Sequence, residues 1–142
     1  MVLVDVNVLI YAHRGEVYEH ERYRAWLHAL VNGDQAYGVS DIVLSAFVRI
    51  VTNPRAFALP SSIETAVAFA EGVRHQPNCL QVVPGPRHWA IFTELCRAVR
   101  ARGNLVPDAF LAALAIEHGC TWVSADHDFS RFPGLDWRHP FA

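Results

Sequence analysis

The chain has 142 residues, a formal net charge of −2 at pH 7 and a hydrophobic content of 52%. This length is typical of one domain, and the hydrophobic content supplies a substantial core, which excludes an intrinsically disordered chain. No apolar run approaches the ~18 residues of a membrane span and no basic segment opens the chain, so we expect no membrane association and a cytoplasmic location.

Apolar periodicity and helix caps predict strands that alternate with helices. In chain order, the predicted elements are a strand at residues 2–5, a short helix from Asn7 to near residue 14, a helix at 16–31, a strand at 37–39, a helix from 41 to about 52, a helix at 63–74, a strand at 80–83, helices at 87–101 and 107–118, a strand at 121–123 and a short strand near 135–137. This alternation predicts an α/β fold with a central, mainly parallel sheet and helices on both faces. Three cysteines without paired spacing predict neither a disulfide framework nor a zinc site.

Acidic residues follow two of the predicted strands and open one buried helix pattern. Asp5 follows the first strand, Asp126 and Asp128 follow the strand at 121–123, and Asp108 begins the helix pattern just before that strand. Because the carboxyl ends of parallel strands meet in a crevice, we expect these carboxylates to converge. Converging carboxylates resist ionisation unless a cation holds them, and oxygen-only ligands favour Mg²⁺ or Mn²⁺ over zinc. The sequence therefore predicts a metal-dependent phosphodiesterase site.

Each of these residues also has an ordinary structural role open to it. Asp5 or Asn7 is a candidate helix N-cap, and Asn7 fits that role well. Asp108 suits the positive end of a helix, where a carboxylate contributes ~0.3–1 kcal/mol, and Asp126 and Asp128 suit a turn. The apolar strand before Asp5 and the buried helix behind Asp108 favour the functional interpretation.

Arginines near the predicted site are candidate contacts for a nucleic-acid backbone. Arg97, Arg100 and Arg102 lie along the end of one helix, and Arg49 and Arg55 flank the end of the third helix. Such charges most often form a solvated face, and the alternative is phosphate contact beside the acidic site.

Four segments in the right order resemble the motifs of the PIN-domain ribonucleases, specifically the VapC-type toxins of bacterial toxin–antitoxin pairs. They are residues 4–12, 47–55, 107–113 and 124–135. The resemblance covers essentially the whole chain and implies a single PIN domain over residues 1–142, with a three-layer α/β/α fold. It also implies a homodimer that cleaves RNA, such as transfer or ribosomal RNA, with Mg²⁺ (or Mn²⁺) and is neutralised by a VapB-type antitoxin.

The same resemblance assigns roles to individual residues. It implies Asp5 and Asp108 as principal Mg²⁺ ligands and Asp126 as the third acidic position, and these three are the predicted catalytic residues. Asn7, Ser124 and Asp128 would support them. We keep four arginines as candidate RNA contacts: Arg49, Arg55, Arg97 and Arg100.

One position departs from the family pattern. Many members carry a Glu in the third helix, where this chain has Ala46. Asp41 lies five residues earlier, about 140° around a helix, so it could reach the site only from the helix start. With one ligand fewer, an alternative is a catalytically weak or inactive PIN domain that acts as an RNA- or antitoxin-binding module.

Two other enzyme classes that place an Asp at the end of an early strand do not fit. Haloacid-dehalogenase-like phosphatases need a second Asp two residues later, where this chain has Asn7. Response-regulator receivers need a Lys after a late strand, and all twelve cationic residues of this chain are Arg.

Overall fold

The computed structural model describes residues 1–142 and contains one five-stranded sheet and six α-helices. The strands are β1 (Val2–Val4), β2 (Tyr37–Val39), β3 (Cys79–Gln81), β4 (Thr121–Val123) and β5 (Trp137–Arg138). The helices are α1 (Val6–His13), α2 (His20–Val31), α3 (Asp41–Val51), α4 (Ile63–Arg74), α5 (His88–Val99) and α6 (Leu105–Glu117), with a 3₁₀ helix at His127–Arg131. None of the helices combines the length and apolarity that crossing a membrane requires.

The sheet order is β3-β2-β1-β4-β5, and every neighbouring pair is parallel. Crossovers run one way from β1 through β2 to β3, and the next crossover returns past β1 to β4. Because such crossovers are almost always right-handed, α1–α4 lie on one face and α5 and α6 on the other. Helix packing agrees, since α1 contacts α2 and α3, α3 contacts α4, and α5 contacts α6. The predicted α/β fold with a parallel sheet is confirmed.

The core lies on both faces of the central strands. Leu3 and Trp122 are fully buried in β1 and β4, as expected for strands covered by helices on both sides. The buried positions of α6 are mostly alanines, whose small side chains let the helix lie close to the sheet. The three cysteines, Cys79, Cys96 and Cys120, are free and lie in or against this core.

Several predicted boundaries were wrong by a few residues, and one helix start was wrong by more. Helix α2 begins at His20 and not at residue 16. The side chain of the buried Arg14 binds Glu16, Ser61 and the carbonyl oxygen of Leu59, which holds the preceding segment in turns. β3 lies at 79–81 and not at 80–83, and α6 begins at Leu105, two residues earlier than predicted.

Candidate active site at the carboxyl ends of β1 and β4

The centre of the site is Asp5, which is 4% exposed and follows β1 directly. β1 is the strand at which the chain order of the sheet reverses, and the crevice beside such a strand is where open α/β sheets bind ligands. One carboxylate oxygen, Oδ1, accepts a 2.7 Å hydrogen bond from the backbone N–H of Val6. The other, Oδ2, accepts a 2.7 Å bond from Oγ of Ser124 at the end of β4. Asp5 is thus held from both strands and caps α1.

Asn7 joins the two strand ends, and of the two candidate N-caps it is Asp5 and not Asn7 that caps the helix. Asn7 lies inside α1, where Nδ2 donates to Oγ of Ser124 (3.1 Å) and more weakly to Oδ2 of Asp5 (3.3 Å). Its Oδ1 accepts from the backbone N–H of Ala125 (3.1 Å). Oγ of Ser124 also accepts from the N–H of Asp126 at 3.0 Å, so its one donor and two acceptor positions are all used.

The other predicted acidic residues lie at different depths. Asp126 is partly exposed and lines the cavity, and its Oδ1 accepts a 2.9 Å bond from the N–H of Asp128 at the start of the 3₁₀ helix. Asp128 itself is exposed and does not line the cavity. His127 is also exposed, and its ring packs edge-on against Trp137.

Asp108 is half-buried in the first turn of α6 and lines the same cavity as Asp5 and Asp126. Burial, and after it the nearby charges of Asp126, Asp5 and Asp128, together raise the pKa of Asp108 from 3.8 to about 6. Burial also raises the pKa of Asp5 from 3.8 to about 6, against the hydrogen bonds from Ser124 and Val6 that lower it. The structure therefore brings the three predicted carboxylates together, in surroundings that resist their ionisation.

These carboxylates open into a cavity of about 620 Å³ between α3 on one side and α5 and α6 on the other. Its polar end consists of Asp5, Asn7, Asp108 and Asp126. Its remaining wall is apolar except for Arg49, and the apolar side chains belong to Val6, Ile42, Val43, Ala46, Ile50, Phe92, Val106, Pro107, Phe110 and Leu111. The sequence analysis missed the apolar wall from α5 and α6, because Phe92 and Phe110 look like core positions of amphipathic helices.

The third helix places no carboxylate in the cavity. Ala46 lines the wall at the position where many family members carry Glu. Asp41 lies outside, where its carboxylate accepts hydrogen bonds of 2.9 and 3.2 Å from the guanidinium of Arg74. That pairing lowers the pKa of Asp41, so the carboxylate stays with Arg74 and does not replace the missing one.

Among the four candidate arginines, only Arg49 lines the cavity. Arg55, Arg97 and Arg100 are exposed and lie outside it, and none of the four has a carboxylate partner.

The donor chemistry of the cavity fits a hard divalent cation, because every candidate ligand is an oxygen. No three His, Cys, Asp or Glu side chains are grouped closely enough to bind one ion together. Mg²⁺ commonly takes only one or two carboxylates and keeps several waters, so Asp5 and Asp108 suffice by that criterion. A cation would also offset the burial and repulsion that raise both pKa values.

Comparison with known proteins places the chain in a family. The PIN domain family model matches residues 2–135. Ribonuclease VapC43 of Mycobacterium tuberculosis is 46% identical over 140 residues, which cover 99% of this chain and 95% of that protein. Ribonuclease VapC25 of the same species is 46% identical over 135 residues, 95% of each chain.

Solved structures share the fold at low sequence identity. VapBC2 from Rickettsia felis, bound to a DNA fragment from its promoter, matches with a TM-score of 0.71 and 19% identity over 98% of both chains. VapC20 of Mycobacterium tuberculosis, a sarcin–ricin loop cleaving toxin, matches with a TM-score of 0.64 and 17% identity over 95% of this chain and 98% of that one. With a family model that spans nearly the whole sequence and relatives 46% identical, the chain belongs to the PIN-domain family, in its VapC group.

Proposed function

We propose that the chain is a metal-dependent endoribonuclease and the toxin of a VapBC toxin–antitoxin pair. The observation that carries the proposal is the convergence of Asp5, Asp108 and Asp126 on one cavity, in a chain 46% identical to VapC ribonucleases. Its substrate would be an RNA, with transfer or ribosomal RNA as the expected class. Its partners would be a VapB-type antitoxin and a second copy of the chain, and residues 1–142 would act as one PIN domain in the cytoplasm.

Asp5 and Asp108 would hold Mg²⁺, with Mn²⁺ as the alternative, and Asp126 would be the third acidic residue beside it. When bound, the ion would stabilise the negative charge that develops on the phosphodiester oxygens. The protein's own contribution begins with Asp5, whose orientation is fixed by Ser124 and Val6. Oδ1 of Asp126 accepts from the backbone N–H of Asp128, and Oδ2 would take the proton of the attacking water. The P–O bond to the leaving ribose oxygen would break as the water attacks, and that oxygen would take a proton from solvent.

Asn7, Ser124 and Asp128 would act as supporting residues. Asn7 and Ser124 fix the distance between the ends of β1 and β4, and therefore between Asp5 and Asp126. The N–H of Asp128 orients the carboxylate of Asp126. Among the candidate RNA contacts, Arg49 lines the cavity and would meet a phosphate there, whereas Arg55, Arg97 and Arg100 would contact the backbone further out.

A second function has one observation in its favour, which is the alanine at position 46. Without a carboxylate from α3, the cavity holds one acidic side chain fewer than the family pattern, and no three carboxylates form a ready metal cluster. A PIN domain of this kind could bind RNA or its antitoxin without cutting.

Incubation of the purified, antitoxin-free protein with total bacterial RNA separates the two functions. The reactions contain Mg²⁺, Mn²⁺ or EDTA, with the Asp5→Asn variant in parallel. We expect discrete fragments that require both the metal and Asp5, and their ends identify the cleavage site. Intact RNA with a folded protein and either metal would contradict the ribonuclease proposal and favour the binding module.

A further inference from the structure

Three neighbouring aromatic rings lead from the cavity wall to solvent. Phe110 and Phe92 line the cavity, with ring centroids 5.7 Å apart. Trp89 lies one helical turn before Phe92 on α5, and its ring centroid is 5.4 Å from that of Phe92. Trp89 does not line the cavity and is 69% exposed. We call Phe110, Phe92 and Trp89 the aromatic track.

The aromatic track is held in place by polar contacts beneath it. The buried His88 forms a 2.9 Å hydrogen bond through Nε2 with the carbonyl oxygen of Phe110, and its ring packs against both phenylalanines. The carboxylate of Glu117 accepts hydrogen bonds from the backbone N–H groups of Gly85 and Arg87, at 2.7 and 2.9 Å. These contacts fasten the start of α5 to α6, so the exposure of Trp89 does not come from a loose segment.

The opposite wall of the cavity is short and carries one positive charge. Ala46 contributes only a methyl group, so the gap between α3 and the aromatic track stays open. Arg49, one turn further along α3, is the only cation of the lining and has no carboxylate partner. The cavity, at about 620 Å³, has room for a flat ring, and a phosphate attached to that ring would meet Arg49. Base stacking on aromatic side chains together with backbone contact by cations is how proteins bind unpaired nucleotides.

We propose that the aromatic track binds unpaired nucleobases next to the phosphate that is cut, with Trp89 stacking on the outermost base. The proposal rests on the ribonuclease function and deepens it, because it assigns Phe110, Phe92 and Trp89 as the residues that hold the bases beside the cut. A base that is paired within a duplex presents only its edges to the protein, so it cannot enter between Phe92 and Ala46 without being extruded. Duplex RNA should therefore bind poorly.

Binding of RNA without cleavage tests the inference separately from the catalytic proposal. A short oligoadenylate, labelled at one end, is titrated at low salt in EDTA with the wild type and with Trp89→Ala, Trp89→Phe and Tyr18→Ala. Affinity is measured by fluorescence anisotropy, with a blunt RNA duplex of the same length as competitor. Tyr18 is the matched control, because it is an aromatic residue that is 86% exposed and does not line the cavity.

We expect Trp89→Ala to weaken oligoadenylate binding by about 5- to 150-fold, the range that corresponds to ~1–3 kcal/mol for one base–aromatic stack. Trp89→Phe should keep most of the affinity, and Tyr18→Ala all of it. Binding should quench the tryptophan emission of the wild type and not that of Trp89→Phe, since Trp89 is the only strongly exposed tryptophan. The duplex should compete poorly.

Wild-type affinity in Trp89→Ala, equal competition by the duplex, or no binding of oligoadenylate by the wild type would each overturn the inference. The inference would also be overturned if Trp89→Ala had a lower sedimentation coefficient than the wild type and an unchanged affinity for oligoadenylate, because Trp89 would then be a contact between protein chains. If the wild type never cuts RNA but binds oligoadenylate through Trp89, the catalytic proposal fails and this one stands. If the wild type cuts RNA and Trp89→Ala binds oligoadenylate with wild-type affinity, the catalytic proposal stands and the proposal for the aromatic track fails.

Discussion

Replacement of Asp5 by Asn should make the stability of the metal-free protein less dependent on pH. Burial raises the pKa of Asp5 to about 6 in the folded state, against 3.8 for an unburied carboxyl. One pKa unit corresponds to about 1.4 kcal/mol, so ionising Asp5 costs the folded protein about 3 kcal/mol. Because the folded pKa is the higher one, this cost is absent below pH 3.8, grows as the pH rises and is complete above about 6.

The Asn side chain avoids this cost but satisfies fewer hydrogen bonds. An amide oxygen can still accept from the N–H of Val6, whereas the amide nitrogen would face Ser124 and Asn7, which donate to Oδ2 in the wild type. Each lost bond costs about 0.5–1.5 kcal/mol. In EDTA, the free energy of unfolding of Asp5→Asn should therefore rise by about 3 kcal/mol relative to that of the wild type between pH 4 and pH 8. The variant should be less stable than the wild type at pH 4, and as stable or more stable at pH 8.

Urea denaturation in EDTA at several values between pH 4 and pH 8 measures this difference. Asp34→Asn, which alters an exposed carboxylate between α2 and β2, serves as the control and should run parallel to wild type. If the free energies of unfolding of wild type and Asp5→Asn stay parallel over the whole pH range, burial does not penalise the ionised Asp5, and the electrostatic account of the site is wrong.

Three further outcomes follow from the same contacts. At pH 8, saturating Mg²⁺ should raise the Tm of the wild type, measured by differential scanning fluorimetry. The rise should be much smaller in Asp5→Asn or Asp108→Asn. An equal rise in all three proteins would show that the ion binds elsewhere. Ser124→Ala removes the acceptor of two hydrogen bonds, from Nδ2 of Asn7 and from the backbone N–H of Asp126. It should lower the free energy of unfolding, measured with urea, by about 1–3 kcal/mol. A change within experimental error would show that this bridge between the strand ends is not needed. Ala46→Glu should lower the Mg²⁺ concentration that gives half-maximal RNA cleavage, with Ala46→Gln as the neutral control; if the two variants behave alike, an added carboxylate at this position does not reach the ion.

The elements whose signals are local were predicted well from the sequence. Helix α4 at Ile63–Arg74 matches its prediction, because Ser62 caps it through the N–H of Thr65 in a pattern visible within four residues. The convergence of Asp5 and Asp126 was also predictable, since parallel strands bring their carboxyl ends to one edge of the sheet whatever the intervening chain does.

The errors arose where distant contacts decide the outcome. Asn7 bonds to the N–H of Ala125, 118 residues away, and so leaves the capping role to Asp5. The delayed start of α2 depends on Arg14 reaching Leu59 across 45 residues. The apolar wall of the cavity was missed for a related reason. Phe92 has the helical spacing of a core residue, and only the packing of α5 against α6 turns it towards the acidic site.

The most direct test of the central claim is the single-turnover rate of cleavage of a short RNA that contains the mapped site, with Mg²⁺, for the wild type and for Asp108→Asn. The account predicts that Asp108→Asn, with its fold intact by circular dichroism, cuts at least about 100-fold more slowly, whereas Asp34→Asn cuts at the wild-type rate. Cleavage by Asp108→Asn at the wild-type rate would show that the carboxylates gathered at the ends of β1 and β4 do not perform the chemistry.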